Sequence, residues 1–248
     1  MASWTRGAIM VGVDGSAAGS QAFEWAANQA GLERRRLMLV PADAVGPERR
    51  GLTDAVHLVV VGCRDTRQGH QGSAWQVGTQ MARRAACPVV IVPSRQPGLV
   101  RQGVLVGADL DVGSVKVLRF GHQLASVRGL PLTVAHFIDD RHDPGLREAQ
   151  RRLTELTSAL GQEFPEVDVR LKVLPGKPTE GLLAMAARMH VLVIGQYHAL
   201  DPFEPPIGHA HAGLVDGAPC PVAVVPQTVN LDDGVTISAG HGPSSTPC

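Results

Sequence analysis

The chain repeats itself, and the two copies differ in length. Val11-Gly-Val-Asp14 is answered by Val106-Gly-Ala-Asp109, and Pro41 falls opposite His136, both at an offset of 95 positions. Further on, His57-Leu-Val-Val-Val-Gly62 is answered by His190-Val-Leu-Val-Ile-Gly195, and Cys87-Pro-Val by Cys220-Pro-Val, both at an offset of 133. The jump of 38 positions places a deletion in the first copy between Ala42 and about Asp54. A chain of 248 residues therefore reads as two related domains of modest size, each long enough for its own core.

Charge excludes some partners. Basic and acidic side chains balance at 23 each, and the Arg runs (Arg34 to Arg36, Arg49-Arg50, Arg83-Arg84, Arg151-Arg152) are scattered, so no nucleic-acid partner is expected. No apolar run approaches the ~20 residues of a membrane helix, and Met1 to Arg6 lacks a signal peptide's apolar core. A cytoplasmic location without membrane contact is the expectation. The spacing of Cys63, Cys87, Cys220 and Cys248 suggests neither a disulfide framework nor a zinc ribbon.

Each copy opens with a short apolar strand ending in Asp (Ala8 to Val13; Gly103 to Ala108), followed at once by a helix. In the first copy Ser16 is placed to cap a helix with Phe23, Ala26, Ala27 and Ala30 on one face and Gly31 as its stop. The second copy shows Val117, Leu118, Leu124 and Ala125, then Gly129. The next strands, Leu37 to Val40 and Leu132 to Ala135, are continuously apolar, as in parallel sheets buried on both faces. Only the second copy continues with a helix, Leu146 to Leu160 closed by Gly161, and an alternating strand whose Val167, Val169, Leu171 and Val173 flank Asp168, Arg170 and Lys172. That alternation predicts an edge strand, and losing an edge strand trims a sheet without opening it. Both copies resume with a helix (Pro47 to Ala55, shortened; Pro178 to Met189), the strand ending in Gly62 or Gly195, a polar loop, a helix and the Cys-Pro-Val strand. Residues 228–248 are Gly-, Ser- and Pro-rich and read as a disordered tail.

The opening VGVDGS with Ser20 and Ala22 behind it, the strand LVVVG, and the stretch before Cys-Pro-Val, all in order and all met twice, resemble the universal stress proteins in a tandem arrangement. The resemblance implies an α/β fold of two doubly wound parallel-sheet domains, adenine nucleotide alpha hydrolase-like, with strand order 3-2-1-4-5. It implies a first domain at 1–97 truncated to four strands and a complete one at 98–227. Family members pair through their last strands, so Val89 to Val92 and Val222 to Val225 are expected to join the domains about a pseudo-twofold axis. A homodimer also stays open.

Some members of that family bind ATP through Gly, two residues, Gly, nine residues, then Gly-Ser or Gly-Thr, with the Asp of the first strand beside adenine and ribose. Glycines let backbone N–H groups approach phosphate, and the next helix offers its positive end. In the first copy Asp14 and Gly62 match, Asp65 and Trp75-Gln76 replace the remaining motif, and Arg64 is the one residue left to meet an anion; no nucleotide is expected there. In the second, Asp109, Gly195 and Gly208 match, with His198 and His209 in place of Gly and Ser, and imidazole can still donate to phosphate. With His136 at the end of the second strand, these make ATP the implied ligand of the second copy. His136, His198 and His209 also form a candidate transition-metal set, against which stands the plain reading of His136 as a packing residue and the others as loop residues. No nucleophile–base pair stands at readable spacing. Three readings follow: a non-enzymatic regulatory or scaffold protein, an ATP-binding sensor, and a metal-responsive module.

Overall fold

The computed structural model describes residues 7–45, 53, 55–63, 73–94, 102–111, 113–138, 143–196 and 209–227. The first half contains β1 (Ile9–Val13), α1 (Ala17–Glu33), β2 (Leu37–Pro41) with a single 3-10 turn at Ala42–Ala44, β3 (Leu58–Cys63), α2 (Ser73–Arg84) and β4 (Val89–Pro93). The second contains β5 (Val104–Gly107), α3 (Ser114–Arg128), β6 (Leu132–Ile138), α4 (Asp143–Glu163), β7 (Val169–Pro175), α5 (Pro178–Ala186), β8 (Val191–Gly195), α6 (His209–Gly217) and β9 (Val222–Val225). Of the shortened helix expected at Pro47 to Ala55, only Thr53 and Ala55 are described; residues 95–101, where the halves were divided, and the tail at 228–248 lie outside the described residues.

Among the described residues all nine strands form one sheet, in the order β2-β1-β3-β4-β9-β8-β5-β6-β7. Numbered within each half, the second reads 3-2-1-4-5 and the first 2-1-4-5, so the strand that the described residues of the first half lack is the outermost. Every neighbouring pair is parallel except the join, where β4 meets β9 antiparallel with Val89 opposite Val224 and Ile91 opposite Val222. One face carries α1, α3 and α4 over Val11, Val60, Val106, Val134 and Val193. The other carries α2, α5 and α6 over Met10, Val59, Leu105, Ile91 and Ile194. Alternation along each strand sends one residue to each layer, and helices on both faces explain why β1, β3, β4, β5, β8 and β9 are apolar throughout; β2, read as buried on both faces, is instead partly exposed at the sheet edge.

Local chemistry sets the helix ends. The Ser16 hydroxyl accepts from the Gly19 N–H at 3.0 Å, the cap its position predicts. α3 begins with Ser114 donating its N–H to the Asp111 carboxylate at 2.9 Å, and Asp111 stands 95 positions after Ser16. Gly129 closes α3 in the left-handed conformation (φ 61°), but α1 runs past Gly31 and ends on Arg34, which adopts the same conformation (φ 53°). Arg34 occupies the position equivalent to Gly129, so the chain geometry of the repeat was kept where its glycine was not. α4 likewise runs through Gly161 to Glu163, because buried Leu160 and the Phe164 packed behind it hold the last turn on the sheet.

The halves also meet through a buried polar cluster. Gln29 on α1 is fully buried and accepts from the Arg128 guanidinium of α3 at 2.5 Å, while donating to Glu33 at 2.6 Å. Arg128 also donates to His190 Nε2 at 2.6 Å and lies 4.9 Å from the centre of the Trp25 ring. Burial pushes the Arg128 guanidinium down to about 10. Burial alone would raise the Glu33 carboxyl, but hydrogen bonds from His57, Gln29 and Arg35 outweigh it and hold Glu33 below the usual carboxylate range. Glu33 and Arg128 are equivalent positions of the repeat that have taken opposite charge.

Candidate functional site

In a doubly wound sheet the crevice opens at the carboxyl ends of the strands, where the strand order reverses. In the second half this point lies between β5 and β8. Asp109, two residues past β5, is exposed there. His136, near the end of β6, is half-buried, and its Nδ1 donates to the Ala108 carbonyl at 2.8 Å. A carbonyl oxygen only accepts, so Nδ1 carries the proton and Nε2 of the neutral ring is left as an acceptor. Ala108 also donates its N–H to the Ala135 carbonyl at 3.0 Å, tying the two strand tips together. Asp109 and His136 are thus brought to one rim.

Gly195 ends β8 on the same rim, and its side-chain direction is filled: a Cβ there would stand 2.1 Å from Gln227 Nε2. The Gln227 side chain also packs against Gly113, where a Cβ would be 3.2 Å from its Cβ. Gln227 therefore wedges between the β8 end and the start of α3. Its place just after β9 gave no sequence signal. Asp111 was detectable as the repeat partner of Ser16; its carboxylate is taken up by the Ser114 N–H and, at 2.8 Å, by the Ser114 hydroxyl.

The corresponding crevice of the first half is built differently. The Asp14 carboxylate accepts from the Ser16 N–H at 2.9 Å and from its hydroxyl. Gly62 is covered by the first turn of α1, since a Cβ there would lie 2.4 Å from the Ala18 carbonyl carbon and oxygen. This glycine is required by helix–sheet packing whatever else it does. Pro41 stands where the second half has His136.

Arg64, His198 and Gly208 lie outside the described residues, and so does the side chain of His209, which opens α6. Among the described residues no group of three His, Cys, Asp or Glu side chains is arranged to hold a metal ion. Among them, too, no helix is long and apolar enough to cross a membrane.

A family model described as the universal stress protein family matches residues 101–226. The chain belongs to the universal stress protein family. It is 25% identical over 189 residues to a universal stress protein of Mycobacterium tuberculosis H37Rv, covering 71% of this chain and 64% of that protein. It is 28% identical over 184 residues to a second one from the same strain, covering 69% and 62%. The chain thus spans less than two thirds of the length of these curated relatives. Among solved structures, a universal stress protein of Archaeoglobus fulgidus DSM 4304 superposes with a TM-score of 0.63 at 15% identity, over 89% of this chain and 98% of that one. A functionally unknown protein of Pseudomonas aeruginosa PAO1 superposes at 0.56 with 14% identity, over 90% and 94%. These likenesses show the α/β fold with its mostly parallel sheet.

Proposed function

We propose that this is a non-catalytic, two-domain regulatory protein whose second domain senses an adenine nucleotide and whose first domain serves as its built-in pairing partner. The observation that carries the reading is the contrast between the two crevices. The second presents an exposed carboxylate at Asp109 and an oriented imidazole acceptor at His136, groups suited to the hydroxyls and amino group of a nucleoside. In the first, the Asp14 carboxylate is held by Ser16, Gly62 is roofed by α1, and Pro41 offers no polar side chain. A ligand reaching toward Gly195 displaces Gln227, which would couple occupancy to the segment leaving β9.

Titration of the full chain with ATP and Mg²⁺, ADP and AMP, followed by calorimetry and thermal shift, tests this. Binding is expected to be lost in Asp109→Asn and weakened in His136→Ala, while Asp14→Asn changes nothing. Absence of any binding, or loss on Asp14→Asn alone, overturns the sensing role. Steady ATP turnover abolished by His136→Ala overturns the non-catalytic one.

A further inference from the structure

The deletion in the first half leaves its mark on the surface. In the second half β6 is covered by β7 and α4, and Leu132, Val134 and Leu118 are fully buried. Their repeat partners are Leu37, Leu39 and Phe23. Leu39 is 53% exposed and Phe23 37%. Phe23 was expected on the buried stripe of α1, yet that stripe runs instead through Ala22, Trp25, Ala26, Gln29 and Ala30. The flank bearing Phe23 is where α4 packs in the other half, and among the described residues no helix fills that place.

Among the described residues the outer backbone of β2 has no strand beside it either. The Arg36 carbonyl accepts from the Ile9 N–H at 2.8 Å, so Leu37, Leu39 and Pro41 turn their main-chain groups away from β1. Their counterpart Leu132 uses that direction to donate to the Asp168 carbonyl beside β7, at 2.8 Å. Among the described residues β2 is therefore an open edge, and its five residues, Leu37–Pro41, carry no charge. The opposite edge of the sheet, β7, presents exposed Arg170 and Lys172, charges that discourage strand addition.

We propose that the outer edge of β2 is a self-association surface, on which a second copy of this chain docks its own β2 antiparallel, centred on Leu39. The chain already joins sheets in this way: β4 and β9 meet antiparallel over three residue pairs. Centring on Leu39 makes the contact isologous and sets Leu39 against Leu39. Leu37 of each copy donates to Pro41 of the other, for about four ladder bonds in all. Pro41 has no N–H to give, but it sits in the outward phase, so no bond to β1 is lost. Leu37, Leu39 and Phe23 of the two copies would then be covered together.

Sedimentation equilibrium of the full chain over a concentration series tests the proposal. Dimerisation is expected, with a dissociation constant raised at least about tenfold by Leu39→Lys, which opposes two like charges across the strand pair. Leu32→Lys, at a comparably exposed leucine on the other flank of α1, is expected to leave it unchanged. Hydrogen exchange of the unmodified chain supplies a readout that needs no variant. Amides of Leu37 and Leu39 should slow as concentration rises, while those of Met38 and Val40, bonded to β1, stay constant. A monomer at every concentration, a dimer indifferent to Leu39→Lys, or concentration-independent protection of Leu37 and Leu39 would overturn the proposal; the last would mean that the chain covers its own edge.

Discussion

The Arg128–Gln29 pair is the sharpest test of how the two halves are held together. Arg128→Met keeps an apolar stem over Trp25 but removes the guanidinium. The fully buried Gln29 oxygen then loses its donor, at a cost of about 1–3 kcal/mol. Loss of the cation–π contact adds about 1–2 kcal/mol. Against this, the fall of the guanidinium from 12.5 to about 10 corresponds to about 3 kcal/mol acting against the buried charge, and the substitution relieves it. The terms nearly cancel, and Arg128→Met is expected to lie within about 2 kcal/mol of the parent. Gln29→Leu alone removes a partner from that buried charge and should cost about 2–3 kcal/mol. The double variant leaves neither an orphaned oxygen nor a buried cation, and it restores the residue type of the repeat partner, Leu124. It should lie near the parent, with a coupling of about 3 kcal/mol between the sites. Urea unfolding followed by tryptophan fluorescence measures all four proteins, and Trp25 lies beneath the guanidinium and reports on the join directly. If the two single effects simply add, the cluster does not act as a unit and the reasoning fails.

Glycines at equivalent positions should respond unequally. Gly62→Ala drives a Cβ into the backbone of Ala18 and is expected to cost about 3 kcal/mol in urea unfolding. Gly195→Ala meets only the end of the Gln227 side chain, which can swing away, so less than about 1 kcal/mol is expected; equal losses would contradict this packing. His122, fully buried, has its pKa lowered by burial, with the bond to the Leu118 carbonyl and the charge of Glu163 offsetting part of that and Arg119 adding to it. The unfolded chain therefore takes up a proton near its ordinary 6.5 before the folded chain does, and stability falls as pH drops below that value. His122→Leu should flatten the pH dependence of the urea midpoint between about 6.5 and 5; an unchanged slope would refute it. Glu33 titrates in a separate, more acidic window: its depressed carboxyl contributes stability above its ordinary 4.5 that is lost as pH falls through the folded value.

Much of the architecture was legible because its causes are local. Strands buried on both faces must be apolar throughout, a helix following a strand must cap its first turn, and a duplicated pattern exposes its own deletion. The missing outer strand and the Ser16 cap follow from such signals, whereas the strand order came from the family resemblance. Of the candidate site, the strand-end positions of Asp109 and His136 were legible, because apolar runs define those ends. Gln227, wedged against Gly195, was not, because nothing near it in sequence records what it touches.

The sequence by itself determined the α/β repeat, its unequal copies and the polar residues at the strand tips, since periodicity and spacing are properties of the chain. Only the tertiary structure decided that α1 ends on Arg34, that α4 runs through Gly161, that Phe23 and Leu39 face outward, and that Arg128 reaches across to Gln29. Each of those outcomes depends on what packs against a residue from a distant segment, or on what the deletion took away, and no local pattern encodes that.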